Sequence, residues 1–124
     1  MGGNPALLRA MREVNGDAYF PPGVSAALHG HFHLFEAIDF ASSHPPSLIA
    51  GHGGDLLAPP FPSPFPLDTS PAAGVKVEHL NYAQSFGYLV LDRQADEWLV
   101  HVRAADGSPL RECTLVARHL RCRD

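Results

Sequence analysis

The sequence predicts an α+β fold, one N-terminal helix followed by mostly antiparallel strands. Three observations carry that expectation. Apolar residues between Asn4-Pro5 and Asn15-Gly16 recur at helical spacing, the rest of the chain breaks into apolar runs of strand length, and proline or glycine punctuates the gaps between them. With 124 residues the chain has the size of one ordinary domain and can bury a single core.

Each element has its own reason. Asn4 offers a capping side chain, Pro5 suits the first helical position, and Leu7, Leu8, Met11 and Val14 form an apolar stripe that Asn15-Gly16-Asp17 ends. Beyond the loop through Pro21, Pro22 and Gly23, the run Val24 to Leu28 is apolar, too short for a helix, and reads as a buried strand. Phe35 to Phe40 and Ser47 to Ala50 follow as two more strands, the second entering the glycine-rich turn "GHGGD". "APPFPSPFPLDTSPAAG", Ala58 to Gly74, holds too many prolines for the middle of a sheet and reads as a surface loop. Val75 to His79, Phe86 to Asp92, Trp98 to Ala104 and Leu110 to Ala117 are four further strands, most economically an antiparallel meander, with Asp106-Gly107 a strong turn signal. The single domain thus divides into 1–57 with the helix, core strands and histidine cluster, 58–74 as the Pro-rich loop, and 75–124 as the C-terminal antiparallel strands.

Composition narrows the function classes. A chain with 45% hydrophobic and 18% charged residues is neither disordered nor membrane-like, and its apolar runs fall far short of a bilayer span. The net charge is -4, and basic residues cluster only at Arg118, Arg121 and Arg123, which argues against nucleic acid as the main partner. Met1-Gly2-Gly3 shows no signal-peptide pattern. Cys113 and Cys122 would face one another across a hairpin centred between Ala117 and Arg118. That register fits a disulfide, Ala-Arg is a poor turn, and two reduced core thiols remain the alternative.

The densest chemistry is "LHGHFHLFEAIDF", where three of the eight histidines, His29, His31 and His33, occupy alternate positions. Residues two apart in an extended chain face one way, so His31 and His33 can present both imidazoles to one side, the start of a metal site, and Gly30 lets the backbone turn there. His44, His79, His101 and His119 read singly as surface histidines. Glu36, Asp39 and Asp55 read as solvated or strand-end carboxylates, His52 as a pocket-edge side chain, and His29 as lining a pocket or bonding a nearby loop.

The stretches "ALHGHFHLFEAIDF", "PPSLIAGHGGD" and "FGYLVLDRQADEWLVHVRAADGSPLRECTL" resemble the C-terminal half of bacterial calcineurin-like metallophosphoesterases, with Gly30-His31-Phe32-His33 matching the G-H-x-H motif. The resemblance implies a β-sandwich in which His31 binds one and His33 the other of two divalent ions, iron, zinc or manganese. Such a centre clamps a phosphate ester and supplies hydroxide for its hydrolysis. It also implies an intact parent that is periplasmic or secreted. The family's earlier motifs, D-x-H, G-D-x-x-D and G-N-H-D/E, are missing, and the only acids before His29 are Glu13 and Asp17. The expectation is therefore part of a phosphoesterase that binds metal at most weakly, has no catalytic residue assigned in this chain, and is inactive alone. Strand edges left bare by a missing half would favour self-association.

Two other readings stay open. From Gly23 the pattern G-x5-H-x-H-x4-E, with His29, His31 and Glu36, resembles the first motif of a cupin, a small β-barrel holding one metal, although the glycine due after the glutamate falls on Ser43 and no second motif is found. The other is a β-rich module with no chemistry.

Overall fold

In the computed structural model, whose described residues are 4–62, 64, 66 and 69–123, one helix and eight strands build two four-stranded sheets. The α+β class holds. The start Met1-Gly2-Gly3 and positions 63, 65, 67 and 68 of the Pro-rich stretch lie outside the described residues.

Helix α1, Pro5–Asn15, begins where the capping chemistry places it: Asn4 Oδ1 accepts from the N–H groups of Ala6 and Leu7 at 3.0 and 3.2 Å. Gly16, at φ 64°, closes it by returning its N–H to the Arg12 carbonyl. Only half of the expected apolar stripe is used. Leu8 and Met11 pack on Tyr19, Phe40, Val75 and Val77, whereas Leu7 and Val14 stay exposed because the helix touches the body along a narrow strip. Among the described residues no helix is long and apolar enough to cross a membrane.

The first sheet has the order β1-β3-β2-β4, formed by β1 Ala27–His29, β2 Phe35–Phe40, β3 Ser47–Ala50 and β4 Val77–Ala83. β1 runs parallel to β3, and β2 is antiparallel to both β3 and β4. Two expectations are corrected here. The buried strand Val24 to Leu28 is instead the edge strand β1, bonded on one side only, so Ala27 is buried while Leu28 is 64% exposed. The segment from Val75 does not open the meander. The long Pro-rich connection returns the chain to the free edge of β2, where Val77 to Ala83 pair with it across an irregularity at Asp39/Phe40.

The second sheet is the meander β5 Gly87–Gln94, β6 Glu97–Ala104, β7 Pro109–Val116 and β8 His119–Arg123. Asp106 Oδ1 accepts from the backbone N–H and the hydroxyl of Ser108, and Gly107 supplies φ 86°, as the Asp-Gly signal anticipates. The last hairpin does turn at Ala117-Arg118, with φ 46° and 69°, the positive pair that a tight hairpin of this hand requires but Asn-Gly usually supplies. Cys113 and Cys122 are cross-strand partners there and form a disulfide, and the Arg118 guanidinium donates to the Ser43 carbonyl at 2.6 Å. These two ties hold a turn whose residues do not favour it.

Alternation along β2 decides what lies where. Phe35 and Ala37, with Leu48 and Ala83, pack against Val100, Val102, Cys113, Leu115 and Leu120 of the meander. Glu36, Ile38 and Phe40 face the other way, toward α1 and the connecting loops. Both faces of β2 are thus covered.

Candidate functional site

β1 stops at His29, and two tight turns follow. The Phe32 N–H donates to the Gly30 carbonyl at 3.0 Å and the Leu34 N–H to the Phe32 carbonyl at 2.9 Å, while His31 takes φ 76°, a region few side chains enter. His31 and His33 then line one open depression with Leu56, Leu57 and Ala58. Both sit there on a turned loop and not on the extended strand that the sequence suggests.

His33 is held in a defined way. Its Nδ1 lies 2.6 Å from the Leu56 carbonyl, which can only accept, so Nδ1 carries the proton and in the neutral ring Nε2 is the nitrogen with the free lone pair. This is how a metal-binding imidazole is commonly oriented. The His33 carbonyl in turn accepts from Ala58 N–H at 2.9 Å.

The "GHGGD" turn makes that loop position accessible. Gly51 N–H donates to the Leu34 carbonyl at 3.2 Å, and a Cβ on Gly51 would stand 1.7 Å from the Phe32 carbonyl oxygen. Only glycine fits beneath the histidine loop.

Among the described residues, no aspartate or glutamate lines the depression. Asp55 accepts from the Leu56 N–H at 2.8 Å, Glu36 lies in a separate cavity, and Asp39 belongs to the interface between sheets. Two neutral imidazoles cannot offset the repulsion between two cations, so these residues do not by themselves fit a dinuclear centre. They fit the imidazole part of one, and no hydrolytic step follows from them alone.

Two acids expected at the surface are buried. Glu36 is 5% exposed because α1, Phe20 and the Pro-rich loop cover its face of β2. Its Oε1 meets no hydrogen-bond partner among the described residues, and desolvation pushes its carboxyl up to about 7. Asp39 is 1% exposed, accepts from the Leu120 N–H at 3.2 Å and pairs with Arg121, which also reaches Glu78 at 3.1 Å. Asp39, Glu78 and His119 bring ligand atoms within 4.8 Å of one another, the spacing of a cation site. The Arg121 guanidinium already supplies the positive charge between the two carboxylates, so the cluster is an ion-pair tie from β2 and β4 to β8.

No family model, curated protein or solved structure matches this chain.

The remaining histidines divide by packing. His52 is a correction: it is 1% exposed beside Phe35, not at a pocket edge, both ring nitrogens lack a partner among the described residues, and burial lowers its pKa. His44 is half-buried against the rings of Tyr19, Phe20 and Phe40, and burial lowers its pKa too. His101 pairs with Glu112 at 2.9 Å, and His119 approaches Asp39 at 3.4 Å. The cupin-type ligands are not gathered: His29 and Glu36 line the covered cavity, His31 lines the other depression, and the two sheets are separate layers instead of one closed barrel. Sequence reasoning missed the burial of Glu36 and Asp39, because "FEAIDF" looks like a strand with one wet face.

Proposed function

We propose that this chain supplies the imidazole portion of a divalent-metal centre of the calcineurin-like metallophosphoesterase type, which hydrolyses phosphate esters once carboxylate ligands join it from other polypeptide. The observation that carries the reading is the shared depression of His31 and His33, with His33 Nδ1 tied to the Leu56 carbonyl and Nε2 left as a donor. The G-H-x-H spelling and the glycine that lets β3 pass under the loop support it. The bound ions would polarise the phosphoryl group and lower the pKa of a bound water. What this chain's residues do is hold and orient the ions: His31 and His33 donate, and the Leu56 carbonyl keeps His33 in the correct tautomer.

The chain alone is accordingly not a catalyst. Its parent fold would be a sandwich in which further strands continue β1 at its free edge. The test joins the chain with a polypeptide bearing D-x-H, G-D-x-x-D and G-N-H-D/E motifs, read in frame from the coding DNA before Met1, and assays an aryl phosphate with manganese, zinc or iron. Turnover is expected only from the combination and lost in His31→Ala. Lack of such in-frame motifs, or turnover by the chain alone that His31→Ala abolishes, would overturn the proposal.

A further inference from the structure

The second cavity lies on the opposite side of the first sheet from the meander, bordered by Met11 of α1, Phe20, and Phe61, Thr69 and Pro71 of the Pro-rich connection. Its volume is about 360 Å³, inside the roughly 300 to 1,000 Å³ range of small-molecule sites. The walls are mostly apolar, with Ile38, Ile49, Val77 and Leu80 from the sheet and the rings of Phe20, Phe32, Phe40 and Phe61 around them. Into this lining projects one carboxylate. Glu36 is 5% exposed, and its Oε1 has no hydrogen-bond donor among the described residues. A buried carboxylate oxygen without a donor is costly in its charged form, and a cationic donor inside the cavity would offset that cost.

The chemistry of that partner follows from the lining. The faces of aromatic rings attract cations, and a carboxylate completes such a cage with a charge-assisted hydrogen bond. Aliphatic walls reward a hydrocarbon body. An anion would be repelled by Glu36, and a neutral apolar molecule would leave the carboxylate unpaired. We propose that this cavity is a binding site for a small primary amine with an aromatic or short aliphatic body, its ammonium hydrogen-bonded to Glu36 and its hydrocarbon part among Phe20, Phe40 and Ile38. The site uses neither His31 nor His33 and stands whether or not they hold metal.

At the mouth, the titratable lining groups among the described residues are His29 and His44, and His44 already donates Nδ1–H to the Pro45 carbonyl at 2.9 Å. At pH 8 the solution is above the value of about 7 to which burial pushes the Glu36 carboxyl, and burial holds His44 below its ordinary range.

The test is calorimetric titration of the whole chain at pH 8 with 2-phenylethylamine, 2-phenylethanol and 3-phenylpropionate, three molecules of similar body and different head. The amine is expected to bind one per chain, at least ten-fold more tightly than the alcohol and with no measurable binding of the acid. In Glu36→Gln, which keeps the shape, the amine should lose at least ten-fold and the alcohol should be unchanged. An NMR titration should move the signals of Phe20, Ile38 and Phe40. No amine binding at millimolar concentration, equal binding of amine and alcohol, preference for the acid, or full amine affinity in Glu36→Gln would each overturn the proposal.

Discussion

Glu36 shows how one side chain can set a pH dependence. Its carboxyl titrates near 7 in the fold against an ordinary 4.5, because burial disfavours the charge. A folded pKa above the unfolded one means that the stabilising contribution of the protonated form is complete below pH 4.5 and is lost as pH rises through 7. His52 and His44 act oppositely: burial lowers both below the ordinary 6.5, so their contribution is complete above that value and lost as pH falls below it. The two slopes oppose each other between the carboxylate and imidazole ranges, and substitution separates them. Urea unfolding of Glu36→Gln is expected to show a gain of roughly 1 to 2 kcal/mol at pH 8, less than the full shift would yield because the amide also lacks a partner, and a flatter profile from pH 5 to 7. An unchanged profile would mean that Glu36 is solvated. None of this was legible in the sequence, where Glu36 and Asp39 occupy the polar positions of an ordinary half-wet strand. Burial on both faces of β2 depends on α1, the Pro-rich connection and β8, all distant along the chain.

At the scale of elements, local signals and non-local ones fared differently. Asn4-Pro5 and Gly16 bound α1, and the runs Phe35–Phe40 and Ser47–Ala50 are strands with the expected limits, because capping, turn chemistry and β-branched or aromatic content act within a few residues. The partner of β4 was not legible, since pairing with β2 is decided by where a long loop returns the chain. Contacts between elements therefore give the sharper predictions. Gly51→Ala places a methyl against the Phe32 carbonyl and should displace the histidine loop, seen as shifted His31 and His33 signals and a fold destabilised by roughly 2 kcal/mol. Arg121→Ala should cost roughly 2 to 3 kcal/mol by leaving Asp39 short of its cation, somewhat below the range for a fully buried pair because the guanidinium is half-exposed. Breaking the β7–β8 disulfide with Cys113→Ser and Cys122→Ser should lower stability by about 2.5 kcal/mol, the chain-entropy value for so short a loop. Denaturant midpoints check all three.

For the molecule as a whole, the two sheets bury one core between them, and its concavities include one lined by His31 and His33 and another that holds the Glu36 carboxyl among aromatic rings. The candidate metal residues were legible because H-x-H spacing after a glycine is a local signal. The turned loop, the glycine beneath it and the tautomer-fixing carbonyl of Leu56 were not, because each comes from a different segment. On the proposed function, His31 and His33 bind metal from one shared depression, which among the described residues no carboxylate lines. Nitrogen NMR of the histidine rings during zinc titration tests it most directly. His31 and His33 are expected to shift together, His33 through Nε2 with Nδ1 still protonated, with weak saturation in the high micromolar to millimolar range and no response from His119. A response at His119 in place of the pair, independent titration of His31 and His33, or one ion held tightly per chain would contradict it.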